Sequence, residues 1–290
     1  MRFLSDNLRG ALLSLTAFAL YSLNDITIKF LGSDYNIIQI VFFSSLASLP
    51  MIGALMMTER QPAALWPILP GLTAFRMLLV AVNSFLVPYA FANLPLSQAY
   101  AIFFLMPLFI CVLAVPMLNE TIDLPRGLAV LAGLLGVVVV LRPGVMDLQF
   151  AHLSALVGAL IGAVYYIVVR KTGGVERMAV MLLYPTLAQI AVMALALPWV
   201  FQPMPIQHLG LMALMALEAF VGTLCVVSAY RRAPAVVVAP MQYVQIIVAT
   251  LFATLLFGEP FDIWTVLGIV IIIAAGLYIM TRTDVDHITD

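Results

Sequence analysis

Charge is what this chain has least of. Of its 290 residues, 9% are Asp, Glu, Lys or Arg, against 64% with hydrophobic side chains. A soluble domain is about 25% charged, and a water-facing surface cannot be covered with so few polar groups. Most side chains must therefore face lipid, in keeping with a mean hydropathy of +1.13. A net charge of −1 leaves no electrostatic footprint for nucleic acid. Lysine is reduced to Lys29 and Lys171 and no GxxxxGKS/T loop exists, which excludes an ATP-driven pump on this chain. Three histidines, His152, His208 and His287, are scattered over predicted loops and the tail, and no His/Cys/Asp spacing fits a metal site. The two cysteines, Cys111 and Cys225, fall inside apolar runs and read as small buried residues. No cofactor and no catalytic cluster are expected. An integral-membrane enzyme is thus a weak alternative, and so is a channel, since no repeated filter backbone is legible.

What the chain has in abundance is apolar runs of membrane length. A hydrocarbon core of roughly 30 Å takes about 17–25 helical residues to cross. Ten such runs lie near 10–31, 37–57, 71–92, 96–117, 126–142, 153–171, 179–200, 209–230, 234–256 and 263–281. Polar or stiff breaks separate them, such as Gly32-Ser33-Asp34-Tyr35-Asn36 and Gln202-Pro203-Met204-Pro205. The first run continues to Phe30, past the point where a cleaved leader would end, and is read as a retained helix. The expected fold class is an all-α integral membrane protein of ten transmembrane helices.

One half of this bundle is written twice. Ala90-Phe91-Ala92-Asn93-Leu94-Pro95 is answered 139 residues later by Ala229-Tyr230-Arg231-Arg232-Ala233-Pro234. Each copy then runs through an apolar stretch to an acid, Asn119-Glu120 in the first and Gly258-Glu259 in the second. Basic residues orient the bundle. With ten spans, Arg2, Arg9, Arg60, Arg76, Arg126, Arg170, Lys171, Arg177, Arg231, Arg232 and Arg282 share one side, leaving Lys29 and Arg142 on the other. This excess places both termini in the cytoplasm. Five spans per repeat then force the two halves, 1–144 and 145–290, to enter the bilayer from opposite sides as inverted repeats. A substrate would bind between them near midplane.

These residues resemble the drug/metabolite transporter superfamily, in its ten-helix EamA-type branch. The resemblance spans essentially the whole chain. It is carried by Phe75-Arg76, by Tyr89 through Pro95, by Ala101-Ile102-Phe103-Phe104-Leu105-Met106-Pro107-Leu108, by Asn119-Glu120 and Leu141-Arg142-Pro143-Gly144, and by Gly258-Glu259-Pro260 with Trp264. It implies a secondary transporter of a small organic metabolite in the cell membrane, the inner membrane if the source is Gram-negative. A weaker similarity, through Leu96 to Phe104 and Tyr230 to Tyr243, is to importers of riboflavin or S-adenosylmethionine in that branch. Uptake of a flat heteroaromatic such as riboflavin is the leading expectation. Export of aromatic or hydrophobic amino acids is the alternative.

Ionisable groups at membrane depth cost about 2.5–3.5 kcal/mol on insertion scales, so each asks for a reason. Asp25 and Lys29 lie four apart on span 1 and share a helix face, either as a self-neutralising pair or as part of a vestibule. Glu218 sits mid-span in Ala213 to Phe220 with no base three or four positions away, and is the candidate for proton coupling. The candidate substrate-binding set is Asn24, Asp25, Asn83, Gln98, Tyr100, Tyr165, Tyr166, Gln242 and Tyr243, drawn from both halves. Rings beside amides suit a flat, neutral solute that hydrogen-bonds, and a highly charged substrate is not expected, since only Asp25, Lys29 and Glu218 could meet it. Interior prolines such as Pro107 should kink their helices and free carbonyls. Spans 5 and 10 are almost wholly apolar and belong at the periphery, against the lipid bilayer or a second copy in a homodimer.

Overall fold

The computed structural model describes residues 6–58, 65–118, 124–141, 149–245 and 263–283, with positions 248, 252, 255, 256 and 258. Its helices are α1 (Asp6–Leu31), α2 (Ile37–Thr58), α3 (Pro70–Asn93), α4 (Leu96–Phe103), α5 (Leu105–Leu118), α6 (Leu124–Leu141), α7 (Phe150–Gly173), α8 (Met178–Ala196), α9 (Ile206–Arg232), α10 (Ala235–Val238) and α11 (Ile263–Thr283). Short 3-10 turns follow at Leu197–Trp199 and Ala239–Tyr243. No strand occurs among the described residues. The physical reason is that a helix satisfies its backbone internally, which lipid demands of any spanning segment.

Among the described residues, seven spans are long and apolar enough to cross a membrane, with α4 and α5 joined as one. The fifth and tenth predicted spans correspond to α6 and α11, and the ninth opens with α10. The chain is an all-α, multi-pass membrane protein. The paired acids Glu120 and Glu259, Asn119, and the Arg142-Pro143-Gly144 motif lie outside the described residues.

The fourth predicted span is two helices rather than one. α4 ends at Phe103 and α5 starts at Leu105. Pro107 has no N–H to offer the Phe103 carbonyl four residues back, and its ring crowds that carbonyl. The expected kink therefore falls one turn upstream of the proline. Pro50, Pro88, Pro116 and Pro185, by contrast, are carried inside α2, α3, α5 and α8.

The duplicated turns fold alike. Leu94 and Ala233 both end their helices in extended conformation, at φ −115°, ψ 150° and φ −131°, ψ 152°. The Leu94 N–H donates to the Ala90 carbonyl at 2.9 Å and the Ala233 N–H to the Ala229 carbonyl at 3.0 Å. Pro95 and Pro234 then start the next helices, their fixed φ suiting an entry position. The pairing of helices exchanges when the two halves are swapped. α1 packs on α9 as α7 packs on α3, α2 meets α9 as α8 meets α3, and α6 lies along α11. That is the pattern a pseudo-twofold between five-span repeats produces.

Where the halves meet tightly, small residues allow it. A Cβ on Gly10 of α1 would sit 2.6 Å from the Ala233 Cβ, so only glycine admits the turn there. Serines tie the halves together through carbonyls of the irregular ninth span. Ser14 Oγ donates to the Val238 carbonyl at 2.9 Å and Ser22 Oγ to the Gln245 carbonyl at 3.3 Å. Both are hydroxyl-to-carbonyl bonds of the kind that tie helices together within a bilayer.

Candidate functional site

A cavity of about 400 Å³ opens between the two halves. Its lining comes from α1, α2, α3, α4, α5, α7, α8, α9 and the segment after α10, but from neither α6 nor α11. The last two stay peripheral, as their apolar sequences suggest. On α8 the lining residues run from Met181 to Gln189, near that helix's start, whereas on the first-half helices they lie toward one end of the bundle: Phe18 to Ile28 of α1, Val41 to Ile52 of α2 and Leu79 to Phe91 of α3. That is the end holding the α1 C-terminus and the exposed Asp34. The opposite end holds Arg9, Arg170, Lys171, Arg177, Arg231 and Arg232, the basic and hence cytoplasmic side. Along the first half the cavity therefore lies toward the outer side, and it reaches inward as far as Met181 at the start of α8.

Seven of the nine candidate binding residues share this one cavity: Asn24, Asp25, Asn83, Tyr100, Tyr165, Tyr166 and Gln242. Asp25 accepts a hydrogen bond from Tyr100 Oη at 2.9 Å. Its sequence neighbour Asn24 donates to the Met215 carbonyl of α9 at 2.9 Å. Tyr21, a residue outside the sequence-predicted set, stands against α9 with its hydroxyl 3.0 Å from Thr223 Oγ1. It fits only because α9 has Gly222 there, where a Cβ would come within 2.8 Å of the Tyr21 ring. Tyr165 and Tyr166 meet edge to face at 5.5 Å, and Phe18 closes on Tyr166 at 6.1 Å in the same way. Such contacts between rings hold their orientations and contribute about 0.5–1.5 kcal/mol each.

Two amide oxygens at the wall are unsatisfied. Asn83 Oδ1 and Gln242 Oε1 are buried with no hydrogen-bond partner in the protein. A buried acceptor without a partner costs about 1–3 kcal/mol, which a donor on a bound solute would recover. Amide orientation is set by the surrounding network, so the statement concerns the unfilled end of each amide rather than one atom type. Asp25 is the one charged residue among those lining the cavity.

Gln98 departs from the expectation. It is absent from the lining, and its Oε1 lies 3.3 Å from His152 Nε2 at the start of α7. Position explains this: α4 has only begun at Leu96, so Gln98 sits near the outer rim, a half turn away from the face that Tyr100 presents to Asp25. The side chain of Tyr243 lies outside the described residues. Glu218 is buried on α9 but is not a lining residue, and its Oε2 has no partner.

The sequence reading also overlooked what closes the cavity. Arg76, counted above among the basic residues of the terminal side, is wholly buried. Its Nη2 donates to the Met181 carbonyl at 2.8 Å and lies 3.3 Å from Tyr165 Oη, with the guanidinium carbon 5.3 Å from the Tyr165 ring centre. Met181 and Tyr165 both line the cavity, so this layer is its floor. Below it, Glu176 Oε1 accepts from the Leu69 N–H at 2.6 Å, and Arg231 donates to the Glu176 carbonyl. The available signal was depth, since Arg76 lies five residues inside the predicted third span.

A bundle written twice, with helices broken beside a polar cavity between the halves, is the build of a membrane transporter. The chain belongs to the EamA-like transporter family, which matches residues 8–142 and 149–281. Among curated proteins it is similar to the S-adenosylmethionine uptake transporter of Rickettsia prowazekii (strain Madrid E), at 28% identity over 96% of this chain and 94% of that protein. The S-adenosylmethionine uptake transporter of Rickettsia bellii (strain RML369-C) is 29% identical over 89% of each. A protein known from its crystal structure shares the fold, with TM-score 0.71 at 18% identity over 94% of this chain and 96% of that one. Riboflavin finds no support among these relatives.

Proposed function

We propose that this chain takes up S-adenosylmethionine by alternating access, its halves 1–144 and 145–290 rocking about the central cavity. The observation that carries the reading is the company Asp25 keeps. A single lining carboxylate among Tyr21, Tyr100, Tyr165 and Tyr166 is a receptor for an organic cation, because ring faces and carboxylate both attract positive charge. A sulfonium or ammonium group answers to that description. The unsatisfied ends of Asn83 and Gln242 suit the hydrogen-bonding edge of an adenine base. Riboflavin, the flat solute expected from the rings and amides alone, has no cation for Asp25 to hold. The names of the relatives support the same choice.

Labelled S-adenosylmethionine, riboflavin and phenylalanine presented to proteoliposomes test the assignment. Saturable uptake of the first is expected. Transport of phenylalanine with none of S-adenosylmethionine would favour the amino-acid exporter instead, whose substrates also carry an ammonium group for Asp25.

Glu218 is the proposed proton-coupling acid. It is buried on α9 with one carboxyl oxygen unpartnered, off the cavity wall. Glu218→Gln keeps the shape and cannot release a proton. The variant should exchange substrate across equal pH and fail to accumulate it under a pH gradient. Normal accumulation by Glu218→Gln would make the residue structural.

A further inference from the structure

The mechanism above uses a cation site and leaves one buried cation of the protein unexplained. Arg76 is 0% exposed, sits at membrane depth six residues into α3, and has no carboxylate within ion-pair distance among the described residues. Of its three guanidinium nitrogens only Nη2 is bonded; Nε and Nη1 have no partner. A structural arginine would be expected to fill that fork, since buried charge is tolerated when paired and hydrogen-bonded and is expensive otherwise. Thr73 Oγ1, one turn earlier on the same helix, is likewise buried and unpartnered. The unfilled donors lie one helical turn below Leu79 and Val80, which line the cavity, behind a floor made of Met181 and Tyr165.

We propose that Arg76 is the carboxylate receptor of this carrier. The substrate it moves bears a carboxylate. As the floor parts toward the cytoplasm, that group replaces the Met181 carbonyl and Tyr165 hydroxyl on the guanidinium. The planar fork of arginine matches a carboxylate with two parallel hydrogen bonds, which lysine cannot reproduce. Asp25 lies much further along the bundle toward the outer end, so the two charges read the substrate at different depths, the cation first and the anion at the exit. The inference rests on the reading above for its substrate, S-adenosylmethionine, whose methionine end carries the carboxylate. The contact itself serves any α-amino acid.

Two substrate pairs in proteoliposomes test it: S-adenosylmethionine against its decarboxylated form, and phenylalanine against phenethylamine. The wild-type carrier should favour the carboxylate-bearing member of the pair it transports by on the order of tenfold or more in uptake efficiency. Arg76→Gln should erase that preference by lowering transport of the acid while leaving the decarboxylated partner within about threefold. Arg76→Lys should restore part of it. Absence of the preference in wild type overturns the proposal without need of a variant, as does parallel loss of both members in a folded Arg76→Gln, which would make Arg76 a latch of the floor alone. Preference within the phenylalanine pair, with no S-adenosylmethionine transport, would retain the Arg76 assignment and remove the substrate. A wild type that moves neither acid overturns both.

Discussion

The two copies of the repeated turn share a backbone and a burial pattern, and differ in what one side chain reaches. Asn93, beside the first, is exposed and spends its side chain on the Tyr89 carbonyl one turn back, at 2.8 Å. Arg232, its counterpart in the second, is exposed too and donates to the Ser228 carbonyl one turn back, at 3.0 Å. Leu94 and Ala233 are both buried, Ala233 against Gly10, and the difference lies in Arg231, which stands where the first turn has Ala92 and reaches across to the Glu176 carbonyl. The first turn stands at the outer end of the bundle and the second at the basic end. Local sequence makes the turn in each case, through the helix-ending extended residue and the proline after it. Insertion of the halves from opposite sides then sends equivalent pieces to opposite faces, where only the second carries an arginine that ties it to the Glu176 backbone.

The largest blow to this contrast between outer and basic ends should come from the cavity's own charge. Asp25→Asn is expected to weaken apparent substrate affinity by roughly 2–5 kcal/mol, as removal of one partner of a desolvated charge pair does. Thermal stability in detergent should hardly move. Unchanged affinity would mean that the substrate does not lie where the cavity is. Next, Gly10→Val drives side-chain atoms into Ala233 and should destabilise the protein by about 1–3 kcal/mol, read as a lower melting temperature. Gly71→Val, where a Cβ meets nothing within 4 Å, should stay within about 0.5 kcal/mol of wild type. Equal losses at the two glycines would show that the second turn is not tightly packed. The gentlest test changes no energy to speak of. A cysteine at the exposed Gly174 should react with an impermeant thiol reagent only from the cytoplasm, and one at the exposed Asp34 only from outside. Reaction of both from one face would break the inverted topology and the orientation of the cavity together.

Much of the fold was legible because lipid imposes a one-dimensional rule: about twenty apolar residues make a span. The spans read from composition agree with the described helices to within about four residues at most ends, and the duplicated turn announced the symmetry. The break before Pro107 was legible as a kink but not as a complete interruption at Phe104. The polar set was legible in type and mostly in place. Gln98 was misplaced because a residue two positions from Tyr100 on a helix faces elsewhere, and the sequence does not say which of the two faces looks inward.

By itself the sequence determined that the chain lives in a membrane and crosses it many times, which runs carry the basic residues, and that one stretch of the chain is repeated. Hydropathy, charge asymmetry and repetition are properties of the chain's order and need no contacts. Only the tertiary structure decided that Asp25 stands alone as the lining charge, that Tyr21 joins the cavity through Gly222, and that Arg76 is not a surface cation but an underfilled guanidinium beneath the floor. Each of these depends on residues some 90 to 200 positions apart meeting across helices, as Arg76 meets Tyr165 and Tyr21 meets Thr223. Apolar spans specify that helices will pack but leave open which face meets which. That choice is made by the fit of glycines, serines and rings at the crossings.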